Sequence, residues 1–290
     1  MRLLRNRGFT LVEMVVVLAL MGIVMGALYQ SIVATQRTTS AQFQRIDVQQ
    51  TTRAAAMYVS NMLRELDAAD DDILVSQTTS LRFRAMRWTG VLCELPIAVA
   101  GQVQFTIRGD LLFGVRGLDP ALDSILLWKE GDPASLDDDR WLIGGLESAV
   151  PGVCLDDGSA GTTVRGRFLP LPDPPGNELA DVGVTVGSPV RGFQIEELSL
   201  YQEGDEYWLG RRTANRAGVW EGVRPLVGPL MNNGLTFSYF DINGAPAALT
   251  TQIVSIGVTV RGRSVRRVSG RGFLQDSIVT RVTLRNNTRF

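Results

Sequence analysis

Histidine is absent from the 290-residue sequence, and this absence excludes several kinds of catalytic and metal site. Histidine is the commonest ligand of protein-bound zinc and the side chain that most often transfers protons near neutral pH. His-based catalytic triads and His-ligated zinc sites are therefore ruled out. Lysine occurs only at Lys129, so the chain also lacks a phosphate-binding glycine loop that ends in Lys followed by Ser or Thr. Most hydrolase templates are excluded in this way.

Cysteine is also scarce, since Cys93 and Cys154 are the only two in the chain. They are too few for a four-thiolate metal site and too far apart for a Cys-x-x-Cys redox pair. In an exported protein they could form one disulfide, and closing that loop would stabilise the fold by about 4 kcal/mol through the lost entropy of the unfolded chain. The alternative is a pair of buried free thiols.

Residues 9–29 form an apolar run in which Glu13 is the only charged residue. At about 1.5 Å per helical residue, the run reaches about 30 Å, which matches the hydrocarbon thickness of a bilayer. Arg2, Arg5 and Arg7 precede the run, and basic residues at this position stay on the cytoplasmic side. The pattern predicts a membrane-spanning helix with the bulk of the protein outside.

An ordinary secretory signal is the alternative, and it predicts cleavage at a small-x-small site after Ala27 or Ala34. Both sites are poor, because a bulky residue stands where a small one is preferred. Neither explanation accounts for Glu13, since an isolated charge at the centre of a membrane helix costs about 2.5–3.5 kcal/mol on insertion scales. This carboxylate needs a partner.

The segment Gly8-Phe9-Thr10-Leu11-Val12-Glu13, placed between a basic leader and a long apolar run, resembles the class III signal of type IV prepilins. The resemblance implies cleavage by prepilin peptidase between Gly8 and Phe9, N-methylation of Phe9, and Glu13 as the fifth residue of the mature chain. Cleavage there creates an amine at Phe9, and Glu13 of one subunit can pair with the amine of a neighbour.

The helix is predicted to continue beyond the membrane, because no proline or glycine occurs between Gln30 and Ala69. Residues 30–69 are expected to form an amphipathic continuation, with a break near residues 38–40 as the alternative. The apolar positions predicted to pack recur at a spacing of three to four residues and are Phe43, Ile46, Ala54, Tyr58, Met62 and Leu66.

Residues 70–290 are predicted to form a β-rich head, because apolar residues there recur at every second position, as in Leu81, Phe83 and Ala85. The same rhythm from Leu235 to Leu284 predicts an antiparallel meander. Glycine, proline and aspartate interrupt residues 114–192, which are expected to be rich in loops, with residues 169–176 as a linker or surface loop. The fold class is therefore α+β and pilin-like, with a long N-terminal helix packed on a C-terminal antiparallel sheet.

At 290 residues, the chain looks like the large minor pilins or the J-type minor pseudopilin of type II secretion. The resemblance implies a structural subunit without catalytic residues or cofactors, placed at the tip or initiation complex of a pilus or pseudopilus. Its partners would be other pilins or pseudopilins through the N-terminal helix, prepilin peptidase and the inner-membrane assembly platform. It would span the inner membrane once with a periplasmic head, before entering a periplasmic or cell-surface filament. The alternative is a membrane-anchored or secreted β-rich polymer-binding protein or enzyme.

Two charged features leave further ligands open. Acidic clusters at residues 70–72, 137–139 and 156–157 could hold calcium, although no EF-hand spacing is present and solvated loops are favoured. Residues 261–290 contain eight arginines and one aspartate, and they could contact nucleic acid, anionic surface polymers or an acidic subunit. Aromatic residues are sparse there, which favours a charged cluster that protects a sheet edge.

Overall fold

The computed structural model describes residues 10–131, 134, 139–168, 183–268, 270 and 272–284. In these residues a single α-helix, α1 (Leu11–Arg64), precedes a sheet of thirteen strands. The strands are β1 (Ile73–Ser76), β2 (Ser80–Val91), β3 (Ile97–Val99), β4 (Gln102–Arg108), β5 (Phe113–Gly114), β6 (Ser124–Lys129), β7 (Arg140–Val153), β8 (Ala160–Phe168), β9 (Pro189–Glu203), β10 (Glu206–Ala214), β11 (Arg224–Phe240), β12 (Ser255–Val268) and β13 (Gly272–Thr283). The predicted pilin-like α+β fold is confirmed. Residues 169–176, the predicted linker, lie outside the described residues.

Helix α1 is continuous through the hydroxyl-rich segment where a break was the alternative. The hydroxyls are accommodated because Thr35 donates to the carbonyl of Ser31 at 2.9 Å and Thr38 donates to that of Ala34 at 3.0 Å. The helix ends at Arg64, five residues before the predicted limit of residue 69.

Aspartate side chains explain the earlier end of α1. The Asp72 carboxylate accepts the backbone N–H of Asp67 at 2.9 Å, and the Asp67 carboxylate accepts that of Ala69, also at 2.9 Å. These bonds offer the backbone an alternative to helical pairing, so the chain turns away from the helix axis.

The predicted packing face is confirmed for Tyr58, Met62 and Leu66, which lie in or against a hydrophobic core of the head, but not for the other three residues. Phe43, Ile46 and Ala54 are exposed, so their assignment to the packing face is wrong. The buried residues of α1 are Val48, Thr52, Ala55, Ala56, Val59 and Leu63. Most of these residues are small, whereas the residues predicted to pack are mostly large and apolar.

Small side chains are needed because α1 lies very close to β12. A Cβ atom added at Gly262 of β12 would lie 2.5 Å from the Thr52 hydroxyl oxygen and 3.5 Å from a Val48 methyl carbon. The glycine on the strand and the small residues on the helix therefore allow the two backbones to approach. The residues of the first hydrophobic core lie between α1 and the strands beneath it.

The strands under α1 follow one another as antiparallel neighbours. Sheet order is β13-β12-β11-β10-β9, and the register pairs Phe237 with Val258 and Val258 with Thr280. The predicted C-terminal meander is therefore confirmed. Its inward-facing residues Leu235, Phe237 and Val260 are almost completely buried, as the alternating pattern indicated.

Strand β9 joins this meander to a second group of strands. On one side β9 pairs with β2; on the other it pairs with β10 through residues 195–203 and with β6 through residues 190–193. The order of neighbouring strands then continues β6-β7-β8-β4. The strands form a closed ring because the residues after β2 pair with β4, where the Cys93 N–H donates to the carbonyl of Thr106 at 3.0 Å. The closed ring surrounds a second hydrophobic core that contains Trp88, Phe105 and Phe168.

Residues 114–192 were expected to be rich in loops, yet they contain β6, β7 and β8, each antiparallel to its neighbour. The glycines that suggested turns lie inside strands for a different reason. A Cβ atom added at Gly152 would lie 2.1 Å from the Thr163 hydroxyl oxygen on β8, and one at Gly144 would lie 2.7 Å from the Phe168 ring. Close approach between strands, not a turn, requires glycine at these positions.

A buried ion pair links α1 to three strands. The Glu196 carboxylate on β9 is fully buried and contacts Arg87 on β2 and, at 2.6 Å, Arg211 on β10. Arg211 also donates to the Tyr58 hydroxyl of α1 at 3.2 Å. Burial lowers the pKa of Arg87 to about 10. No local pattern predicts this network, because its members are far apart along the chain.

Asp72 provides a test of the turn after α1. Burial raises the pKa of Asp72 to about 7, and its Oδ1 atom has no hydrogen-bond partner among the described residues. The folded state therefore binds a proton that the unfolded state, with its lower pKa, releases. Between the two pKa values, stability is expected to fall as pH rises, by up to about 1.4 kcal/mol per pH unit.

The substitution Asp72→Asn should remove this part of the pH dependence and make the protein more stable above about pH 7, because no charge is then buried. Urea unfolding of the detergent-solubilised chain between about pH 5 and about pH 8 measures the difference. Asp71→Asn is the matched control, since Asp71 is exposed and has a φ of 59° that asparagine tolerates. Equal pH slopes for the wild type and Asp72→Asn would contradict the assignment.

Gly262 provides a test of the helix contact. Gly262→Ala should lower the free energy of unfolding by about 1–3 kcal/mol, because its methyl group would displace α1 from β12. Gly222→Ala is the control, since a Cβ atom there meets nothing within 4 Å. Thr52→Ala should recover part of the loss in the double variant. Additive effects in urea unfolding would show that the two sites do not touch.

Candidate assembly segment

The N-terminal part of α1 is an apolar surface that no other described part of the chain covers. Its most apolar window has a mean hydropathy of 2.5 and is 0% buried. Between Leu11 and Ile32, large apolar side chains are exposed all around the helix. A helix that is apolar on every side requires lipid or other apolar helices as its surroundings. We call residues 10–32 the assembly segment.

The assembly segment begins with a capping box formed by Thr10 and Glu13. The Glu13 carboxylate accepts the backbone N–H of Thr10 at 2.9 Å and its hydroxyl at 3.0 Å, while the Glu13 N–H donates to the Thr10 hydroxyl at 3.3 Å. These bonds satisfy backbone donors that a helix leaves unpaired at its start. The capping role of Thr10 was not predicted, although Thr-x-x-Glu before an apolar run is the signature of this motif.

Glu13 forms no ion pair with any described residue, so its carboxylate relies on Thr10 within its own chain. The other two residues of the predicted processing site, Gly8 and Phe9, lie outside the described residues. Thr10 follows Phe9 directly, so the predicted cleavage would place a new amine next to the cap. The segment therefore combines an uncovered apolar surface with a carboxylate at its end.

A groove lies between α1 and the end of the β12–β13 hairpin, and it begins at the last two residues of the assembly segment. Its volume is about 710 Å³, and Val265 and Arg266 of β12 form one wall. The helix side includes Ser31, Phe43 and Asp47. The hairpin thus reaches the helix just beyond the apolar run.

The two cysteines are joined by a disulfide, so neither is free. Cys93 lies where the ring of the second core closes, and Cys154 follows β7 at the turn into β8. The bridge therefore fastens the closing point of the ring to the neighbouring hairpin.

The acidic clusters that the sequence suggested for calcium bind partners within the chain. Arg108 donates to Asp156 at 2.8 Å and to Asp157 at 2.6 Å, and its hydrogen bond holds the pKa of Asp157 well below the usual range. The thiol of the adjacent Cys154 is committed to the disulfide. Asp70 accepts the indole N–H of Trp141 at 2.8 Å. Calcium binding stays a hypothesis, and residues 137–138 of the third cluster lie outside the described residues.

Comparison with known proteins gives one match. A family model described as the prokaryotic N-terminal methylation motif matches residues 3–29. The matched span contains Gly8, Phe9 and Glu13 and ends where the apolar run ends. No curated protein and no solved structure matches the chain. The N-terminal part of the chain is thus similar to that of type IV prepilins, with a methylation motif and an apolar helix long enough to cross a membrane placed before an antiparallel β head.

Proposed function

We propose that the protein is a structural, noncatalytic minor pilin or pseudopilin that is cut between Gly8 and Phe9 and methylated on Phe9. It is then built into the tip or initiation complex of a type IV pilus or type II secretion pseudopilus. The observation that carries this proposal is the assembly segment, whose apolar surface has no cover within the described chain and starts with a capped Glu13.

Two environments cover this apolar surface, one before assembly and one after it. Before assembly, the inner membrane surrounds residues 9–29, with the leader in the cytoplasm and the head in the periplasm. After assembly, apolar helices of other pilins or pseudopilins replace the lipid. The transfer requires prepilin peptidase to remove the leader and an inner-membrane assembly platform to move the subunit.

Glu13 changes partner during this transfer. In the membrane, its carboxylate accepts the hydrogen bonds of Thr10. In the filament, it pairs with the amine of Phe9 of a neighbouring subunit, and a cation away from water attracts the carboxylate more strongly than the uncharged donors of Thr10 do. This exchange makes burial of the carboxylate tolerable and selects the axial position of the new subunit.

The size of the head supports a place at the tip or initiation complex. It contains two hydrophobic cores, and only the first one includes residues of α1. A subunit in the filament shaft must fit between copies above and below it, whereas a subunit at the tip has a free upper side. A second core is easier to accommodate at the free end.

Substitutions of Glu13 separate charge pairing from helix capping. Glu13→Gln keeps the acceptor oxygen of the cap but removes the charge, while Thr10→Val keeps the charge but removes the hydroxyl of the cap. We expect Glu13→Gln to impair filament incorporation about as strongly as Glu13→Val, and Thr10→Val to have a much smaller effect. Immunoblotting of sheared filament fractions against membrane fractions measures incorporation.

All three variants should insert into the membrane normally, which alkaline extraction of membranes verifies. Normal incorporation of Glu13→Gln together with failure of Glu13→Val would show that Glu13 acts by capping the helix and not by its charge. Normal incorporation of both would refute the proposed pairing.

The N-terminus of the exported protein distinguishes the main alternative. Mass spectrometry of the mature chain should find N-methylphenylalanine from Phe9 at the start, and Gly8→Asp should abolish cleavage because a small residue is needed before the cut. A chain that starts after Ala27 or Ala34 would instead support a secreted β-rich polymer-binding protein or enzyme. Gly22→Ala is a suitable control, since Gly22 lies in the helix away from the cut.

A further inference from the structure

Arginines near the end of the β12–β13 hairpin have no acidic partner. Arg266 and Arg267 are exposed, and the ion pairs found among the described residues all lie elsewhere in the head. Arg263 and Arg267 both lie over the ring of Phe273, at 5.0 and 5.2 Å from its centroid. The aromatic ring positions two of these cations but does not neutralise them.

The hairpin extends toward the membrane end of α1. Gly262 lies against Val48 and Thr52, and the four residues from Gly262 to Arg266 span about 13 Å of strand. Arg266 then lines the groove whose helix side is formed by residues between Ser31 and Asp47. Arg266 and Arg267 are therefore near the level of Thr39, at the middle of that groove, whereas Arg263 lies beside Gly262 and donates to the carbonyl of Asp205 at 2.9 Å.

This level is close to the surface of a membrane that surrounds residues 9–29. The ten residues from Tyr29 to Thr39 rise about 15 Å along the helix. The headgroup layer occupies about 5–8 Å of that distance on each side of a bilayer. The remaining gap is comparable to the Debye length of about 8 Å at physiological ionic strength, so the arginines lie within electrostatic reach of lipid phosphates.

The part of α1 near this level is also basic, although its arginines do not line the groove. Arg37 and Arg45 are exposed and form no ion pair with a described residue, and Asp47 is the only acidic residue between positions 30 and 47. Val265 at the end of the hairpin is 55% exposed, next to Arg266. An exposed apolar residue among arginines is typical of a surface that contacts the headgroup region of a membrane.

We propose that these arginines form a collar that binds anionic phospholipid headgroups on the outer face of the inner membrane. The collar consists of Arg37, Arg266 and Arg267. It holds the hairpin side of the head on the membrane surface until the subunit is assembled. The inference rests on the proposed membrane anchoring of residues 9–29. Lipid is favoured over nucleic acid because the collar lies beside the membrane-spanning helix and carries a single aromatic residue.

Fluorescence quenching of the full-length chain in lipid vesicles tests the proposal. Val265→Cys carries the only free thiol, because the native cysteines are bridged, and it is labelled with a fluorophore. Headgroup-spin-labelled lipid should quench the label weakly in phosphatidylcholine vesicles and strongly when phosphatidylglycerol is added. High salt should reverse the increase. In the labelled protein, Arg266→Gln with Arg267→Gln should lower the bound-to-free ratio about fivefold per arginine removed.

A charge-matched control removes two exposed arginines that do not line the groove, Arg165→Gln and Arg224→Gln, and should leave quenching unchanged. Quenching that does not depend on phosphatidylglycerol, or that both double variants reduce equally, would overturn the proposal. Loss of quenching on addition of a double-stranded oligonucleotide at physiological salt would overturn the proposal, because it would show that the arginines prefer nucleic acid to lipid.

Flotation of the same protein with vesicles in a density gradient tests anchoring separately. A chain that fails to float contradicts the proposed membrane anchoring itself. A chain that floats but shows no lipid-dependent quenching contradicts the collar alone. Circular dichroism of each variant confirms that the fold is retained, so that a loss of quenching reports binding.

Discussion

The first half of α1 exposes an apolar surface that the described part of its own chain cannot cover, and this constraint governs the rest of the structure. A soluble domain would bury such a surface in its core, but here Val48 is the first residue of the helix that the head buries. The protein is stable only where lipid or other apolar helices surround the remainder. Membrane anchoring and the proposed processing and assembly all follow from the need to keep this segment out of water.

The head holds the other half of the helix by close packing. Small residues of α1 face Gly262 on β12, and the Tyr58 hydroxyl is tied to the buried pair of Arg211 and Glu196. The first contact maximises dispersion and apolar burial, while the second fixes the rotation of the helix because its hydrogen bonds are directional. The second core, which the disulfide fastens, includes no residue of α1 and so enlarges the head without altering the helix contact.

Local chemistry allowed much of this architecture to be predicted, and contacts between distant residues account for what was missed. The leader, the cleavage motif, Glu13 and the C-terminal meander are visible because each is a short pattern of charge or alternation. Burial of Phe43 and Ile46 on α1 was mispredicted because their size suggested it. The residues that pack are Thr52 and its small neighbours, because they fit against Gly262, which is far away in sequence. Residues 114–192 were predicted to be rich in loops because a glycine such as Gly152 indicates a turn when its cross-strand neighbour is unknown. Glu196 gave no signal at all, since its partners lie on other elements.

The strands that receive α1 are β11, β12 and β13, the last strands of the chain. A polypeptide that crosses the membrane from its N-terminus therefore exports residues 48–63 long before their packing surface exists. Until residue 283 emerges, this stretch has no native site on which to dock, and the apolar side of the helix stays uncovered. In the proposed topology, folding of the head is thus tied to completion of export.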